Sequence, residues 1–191
     1  ENATGGKIIE DLLDTGTPQV QYQFYNSGTQ PLKITLCWTD PAGTWTSTHD
    51  DRTPKLVNDL DVRITGPGGS PTYLPFVLDL YNPATNATTG DNTLDNVEQI
   101  IVASGAAPGT YTITVSHKDS LTNNHQYYSL IISGNITRQY TLTANKTGSG
   151  TGTVTSTPAG INCGTDCEEV YNEDTQVTLT ANPDAGSTFS G

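Results

Sequence analysis

The chain has 191 residues and a formal net charge of −12, eight Lys and Arg against twenty Asp and Glu. That is length enough for one large or two modest domains with buried cores. So acidic a balance argues against nucleic acid and anionic membrane surfaces as partners, since both need a basic patch, and no apolar run reaches the length of a membrane span.

Thr is the commonest residue, with abundant Gly, Asn, Tyr and Val, a mix that favours short strands and tight turns over helices. Met is absent and the first residue is Glu1, so a processed or excised piece of a longer protein is expected. Glu1 to Gly6 reads as a linker, and Lys7 to Asp14 as a first strand or a short docking segment. Val20 to Tyr25 alternates in polarity and runs into the turn Asn26-Ser27-Gly28. Pro31 to Trp38 is the next strand, with Leu32, Ile34, Leu36 and Trp38 on one side and Cys37 on the other. No basic neighbour is apparent to activate Cys37, which reads as a partly covered free thiol. Asp40 to Pro54 is a long polar loop, Thr72 to Leu80 an edge strand interrupted by Pro75, and Tyr81 to Asp95 a second long loop. Val97 to Val102, Thr110 to His117 and Tyr127 to Ser133 complete seven or eight strands, spaced as in a jelly-roll-like antiparallel sandwich over residues 1–136.

The stretch Leu56-Val57-Asn58-Asp59-Leu60-Asp61-Val62-Arg63-Ile64-Thr65 carries the chemistry. Alternation places Leu60, Val62 and Ile64 on a core face and Asp59, Asp61 and Arg63 on the opposite one. Carboxylates two apart on a strand lie roughly 7 Å from each other, within reach of one cation. Two readings follow: a calcium site, or a solvated face on which Arg63 is a partial counter-charge. Further oxygen donors are Asp40 after the preceding strand and Asp50, Asp51, Asp91, Asp95, Asn96 and Glu98 from loops. Zinc fits less well, because the three His are scattered.

Cys37-Trp38-Thr39-Asp40-Pro41, Leu56 to Gly69, Asp95-Asn96-Val97-Glu98, Pro108 to Val115 and Tyr128 to Gly134 form an ordered set of five motifs. Together they resemble the β-sandwich that follows the catalytic domain in secreted bacterial subtilisin-family serine proteases, akin to the P domain of proprotein convertases. The resemblance covers residues 7 to 136. It implies a jelly-roll sandwich that packs on the catalytic domain of the same protein, aids engagement of large or insoluble protein substrates, is secreted, and carries structural calcium. The ligand roles it implies fall on Asp40, Asp59 and Asp61, and are extended here to Asp91 and Asp95.

Beyond Arg138 the texture changes. Tyr140 to Asn145 is echoed by Val177 to Asn182, and Gly148 to Gly152 reads as a tight hairpin loop. Leu142 to Gly191, with Gly150 to Thr155, Cys163 to Cys167 and Gly186 to Phe189, resembles the internalin-type bacterial B-repeat, a small β-grasp-like unit of secreted and surface proteins. A Trp that usually follows the Phe-x-Gly ending is not reached, so the module at 137–191 is expected to be truncated. Cys163 and Cys167, with three residues between them in a turn-rich stretch, are expected to form a disulfide in an oxidising compartment; half of a metal site is the rival, without a second pair.

Catalysis by the fragment itself is not expected. Asp59 and Asp61 on one strand face cannot flank a sugar from opposite sides as a glycosidase pair does. His49, His117 and His125 lack the Gly-x-Ser-x-Gly or Gly-Thr-Ser-x-Ala setting of a serine nucleophile. The competing class is a stand-alone binding module for polysaccharide or insoluble matrix protein, with Trp45, Tyr73, Tyr81 and Tyr127 as an aromatic platform.

Overall fold

The computed structural model of the protein describes residues 6–49 and 51–190. The chain divides into two compact units, Glu1–Ile136 and Thr137–Gly191. The first contains β1 (Gly6–Asp14), β2 (Gln19–Asn26), β3 (Leu32–Trp38), β4 (Leu60–Thr65), β5 (Thr72–Tyr73), β6 (Phe76–Val77), β7 (Thr88–Thr89), β8 (Val97–Val102), β9 (Gly109–His117) and β10 (His125–Ser133). One sheet runs β1-β10-β3-β8; in the other, β2, β9, β4 and β5 are neighbours in that order. All these pairings are antiparallel. Setting aside the small β6–β7 hairpin inserted before β8, the eight remaining strands follow the jelly-roll order, 1-8-3-6 against 2-7-4-5.

Period-two alternation builds the core between these sheets. Leu32, Ile34, Leu36 and Trp38 of β3, Leu60, Val62 and Ile64 of β4, and Tyr111, Ile113 and Val115 of β9 are buried together with Ile100, Val102, Leu130 and Ile132. Lys7 to Asp14 is thus a strand, paired with β10 along its length. Of the expected opening linker, Gly6 already belongs to β1 and the rest lies outside the described residues. The Asn26-Ser27-Gly28 turn needs its glycine. Gly28 has φ +73° and lies so close to the Ala106 carbonyl that a Cβ would collide with it.

The apolar run from Thr72 to Leu80 is divided: β5 edges the second sheet, and after Pro75 the chain leaves it to form β6, which pairs with β7 from inside the second long loop. No helix among the described residues is long and apolar enough to cross a membrane.

The second unit is β-rich, with β11 (Ile136–Thr143), β12 (Gly152–Thr157), β13 (Glu168–Asn172) and β14 (Thr178–Pro183). β11 pairs with β13 and β12 with β14. The loop at Gly148 to Gly152 is therefore not a hairpin: the strands it joins pair with later strands instead of with each other. The interleaved pairing gathers Ala144, Ile161, Cys163 and Tyr171 into a core of its own, with Leu142, Val154 and Val177 against it. Cys163 and Cys167 form the disulfide, and Cys37 is free and half-buried.

Two measurements check this architecture. Phe24, with no exposed surface, sits at the centre of the larger core, so Phe24→Ala is expected to cost about 3–5 kcal/mol in denaturant unfolding of the first unit. Reduction of Cys163–Cys167 opens a very short loop, so the second unit should lose only about 2 kcal/mol, with the first unit's transition unmoved.

Candidate functional site

The site grows from an unfinished edge. β4 pairs with β9 along its whole length, but β5 covers only Ile64 and Thr65 on its other side. Val62 therefore turns backbone groups toward a place with no strand, and side chains take them up. Its N–H donates to Glu98 Oε2 at 2.6 Å, and its carbonyl accepts from Arg63 Nη1 at 2.8 Å. Glu98 stands on β8, the edge of the opposite sheet, at a core position with Ile100 and Val102. It is a strand residue and not, as its sequence neighbourhood implied, a loop donor. Its other oxygen, Oε1, is buried without a hydrogen-bond partner.

Around this bond the charges interlock. Arg63 Nη2 lies 2.8 Å from Asp61 Oδ1 and 2.5 Å from Asp91 Oδ1, and Nη1 is 3.8 Å from Glu98 Oε2. The β4–β9 register, continued one residue outward, sets Asp59 opposite Lys118, whose N–H donates to the Asp59 carbonyl at 3.2 Å. Lys118 Nζ then lies 2.9 Å from Asp59 Oδ2, 3.0 Å from Asp91 Oδ1 and 3.3 Å from Asp61 Oδ1. Three carboxylates from the approach to β4, from β4 itself and from the β7–β8 connection thus surround one ammonium.

The acid pair is not a solvated face. Asp61 is only 6% exposed. Arg63, Lys118 and Asp91 cover it, because a neighbouring strand and a distant loop supply the cover that alternation alone could not foretell.

Burial pushes the Asp61 carboxyl up, against the lowering influence of Arg63 and Lys118. Asp91 goes the other way: its slight burial is outweighed by Lys118 and by its bonds to Asp61 and Arg63. For Lys118, burial favours the neutral amine, but the bonds to Asp59 and Asp91 win and hold the ammonium. Glu98 is pushed up to about 8, first by desolvation and then by Asp61, with the Val62 N–H, Arg63 and Lys118 opposing.

The remaining expected ligands are placed differently. Asp40 uses both oxygens to close the first long loop, accepting from the backbone N–H groups of Val57 and Asn58 at 2.8 Å each. Asn58, buried, is the anchor of that closure. Its carbonyl accepts from Trp38 Nε1 at 3.0 Å, its Oδ1 from the Thr122 N–H at 2.8 Å, and its Nδ2 donates to Gln126 Oε1 at 2.8 Å. Asp95 meets the Asn92 amide at 3.5 Å and Asp51 pairs with Lys55 at 2.8 Å; Asp50 lies outside the described residues. The structure thus brings Asp59, Asp61 and Asp91 together, adds Glu98, and gives Asp40 and Asp95 other partners. Lys118 escaped sequence reasoning, though its place on the outward parity of Thr114 and Ser116 was a usable signal. Glu98 likewise breaks an apolar stripe.

The donor set suits a hard divalent cation: it is all carboxylate, drawn from separate segments. With Glu98 protonated, three carboxylates face two cations, an excess of one negative charge, which rises to two only when Glu98 ionises. The spacing is another matter. Among the described residues no three His, Cys, Asp or Glu side chains close on a common point at metal-ligand geometry. The oxygens stand at ammonium distance, about 3 Å, where calcium needs 2.3–2.6 Å.

Of the four aromatic residues expected in a platform, Trp45, Tyr81 and Tyr127 are exposed, whereas Tyr73 packs against the core. Arg52 stacks 5.7 Å from the centre of the Tyr81 ring, linking the two long loops. His117 and His125 turn Nδ1 to the carbonyls of Asp119 and Asn123, at 2.7 and 2.9 Å.

A pH effect isolates Glu98. Its pKa rises from 4.5 to about 8 on folding, so the folded state binds the extra proton. The stability it contributes is complete below 4.5 and is lost as pH climbs through 8. In metal-free buffer, wild-type unfolding free energy minus that of Glu98→Gln should fall by about 1.4 kcal/mol per pH unit across that window. Parallel wild-type and Glu98→Gln pH curves would show that Glu98 is ionised throughout.

No protein-family model and no curated protein matches the chain.

Proposed function

We propose that this chain is the non-catalytic C-terminal accessory region of a secreted subtilisin-like serine endopeptidase. In this reading the β-sandwich packs on the catalytic domain of the same protein, is stabilised by calcium at Asp59, Asp61 and Asp91, and helps engage large or insoluble protein substrates. The observation that carries the reading is the jelly-roll strand order of a unit whose five motifs run in the order of such regions, with Asn58 to Asp61 at its β4 edge. The excess of carboxylate over cation at that edge supports the calcium part. Calcium bound only by the folded state adds stability by mass action, about 2.7 kcal/mol at a hundred times its Kd.

Two experiments test it. Calcium should raise the melting temperature of the first unit and EDTA should return it; a melting temperature indifferent to both removes calcium from the reading. Joined to a subtilisin-like catalytic domain, the region should raise that domain's thermal half-life and leave small-peptide hydrolysis unchanged.

Exposed Trp45 and Tyr81 in the two long loops favour a second reading, a binding module that works alone. Retention of the isolated chain on insoluble glycan, collagen or keratin, with loss on joint Trp45→Ala and Tyr81→Ala replacement, would select it.

A further inference from the structure

We propose that the open edge of β1 takes up an extended, basic polypeptide segment as an added strand, and that protein substrates are engaged there. This rests on the substrate-engagement part of the reading above and names the mode of contact.

β1 pairs with β10 from Gly6 to Asp14, and no strand among the described residues pairs with its other side. The register fixes which backbone groups are left over. The Thr15 N–H donates to the Asn124 carbonyl, so in this antiparallel ladder the alternate pairs from there, Leu13 with Gln126, Asp11 with Tyr128 and Ile9 with Leu130, exchange hydrogen bonds. Ile8, Glu10, Leu12 and Asp14 therefore turn their N–H and C=O outward. The chain closes part of that row itself. The Leu12 N–H donates to Asp11 Oδ1 at 2.8 Å, and the Asp14 carbonyl accepts from the Thr17 N–H at 3.0 Å. Among the described residues, Ile8 and Glu10 keep both groups open. A row of this kind fits another strand. The other edges of the two large sheets in this unit are shorter or busier: β5 has two residues, and on β8, beside β6, the Val97 carbonyl accepts from Asn92 Nδ2.

The side chains say what kind of strand fits. On the outer face Ile8 stands beside Ile131 and Leu12 beside Tyr127, with Ile8, Ile131 and Tyr127 exposed. A residue opposite Ile8 or Leu12 thus meets apolar surface. Between them lie Glu10 and Asp11, held by the Ser129 and Tyr22 hydroxyls at 2.6 Å each, and Asp14 follows; Lys7 is the one base of the strand. An antiparallel segment that reads apolar, basic, basic, apolar, apolar from Leu12 back to Ile8 matches this edge in polarity and opposes it in charge. The same acids, on a chain of net charge −12, oppose a second copy as the occupant.

The test uses the full chain and one probe, the fluorescein-labelled peptide Ser-Val-Lys-Lys-Val-Val-Ser, with Glu in place of both Lys as its control. Fluorescence polarisation is expected to show binding of the lysine peptide that weakens as sodium chloride is added, and binding of the glutamate peptide about tenfold weaker or less. Ile8→Pro removes an outward N–H and no bond to β10, so it should melt with Ile8→Ala yet bind about tenfold more weakly than Ile8→Ala. Amide exchange in the wild-type chain needs no variant to fold: Ile8 and Glu10 should exchange freely alone and become protected with peptide, while Ile9 and Asp11 are protected throughout. Absence of binding, or binding that leaves the Ile8 and Glu10 amides exchanging freely, overturns the edge proposal and leaves the melting and half-life tests of the reading above to stand or fall separately. Protection in the free chain that grows with its own concentration would put a second copy on the edge and overturn the proposal too.

Discussion

The hydrogen bond from the Val62 N–H to Glu98 is the constraint on which the rest of the first unit turns. Val62 lies where β5 has not yet begun to cover β4, and an unpaired backbone donor there would cost about 1–3 kcal/mol. Glu98 meets that need from the facing edge of the other sheet, so one bond both caps the strand and ties the two sheets where no ladder joins them. Burying a charge there is expensive, so Glu98 keeps its proton to about pH 8, with Arg63 standing 3.8 Å off on one side. Asp61 and Asp91 hold Arg63, and Lys118 gathers the acids left over. Each group is explained by the one before it, back to a single strand edge.

The second requirement is that Asp59 arrive at the right height. The chain reaches it from the long loop that begins at Asp40, and a loop of that length has no intrinsic reason to end in register. Asn58 supplies the reason, with its carbonyl, amide oxygen and amide nitrogen all bonded to other segments, while Asp40 accepts from its backbone N–H and from that of Val57. The Asn-Asp pair thus divides its labour: Asn58 fixes the chain within the fold, and Asp59 faces the charges outside it. Buried hydrogen bonding in low dielectric makes such an anchor rigid when complete, and a rigid approach is what a cation cluster drawn from three segments needs.

The two units rest on different foundations. Among the described residues, the first draws its core from both sheets and has nineteen buried apolar residues in one cluster; the second has four, with a disulfide at that cluster. Small cores seldom supply stability alone, and a covalent link beside Ile161 and Ala144 compensates in part. Crossed pairing, β11 with β13 and β12 with β14, does the remainder by closing two ladders over the same residues.

Alternation in the sequence by itself determined the strands, their inward residues and the all-β sandwich, because side-chain direction in a strand is local and has period two. It also determined the turn at Gly28 and, through spacing, the Cys163–Cys167 bond. Only the tertiary structure decided that Asp61 is covered, that Lys118 stands among three acids, that Glu98 closes the β4 edge, and that the loop at Gly148 to Gly152 joins strands that do not pair. Those facts depend on which strand lies beside which and on where a neighbour stops. Such choices are fixed by pairing between residues far apart in the chain, so no local pattern holds them.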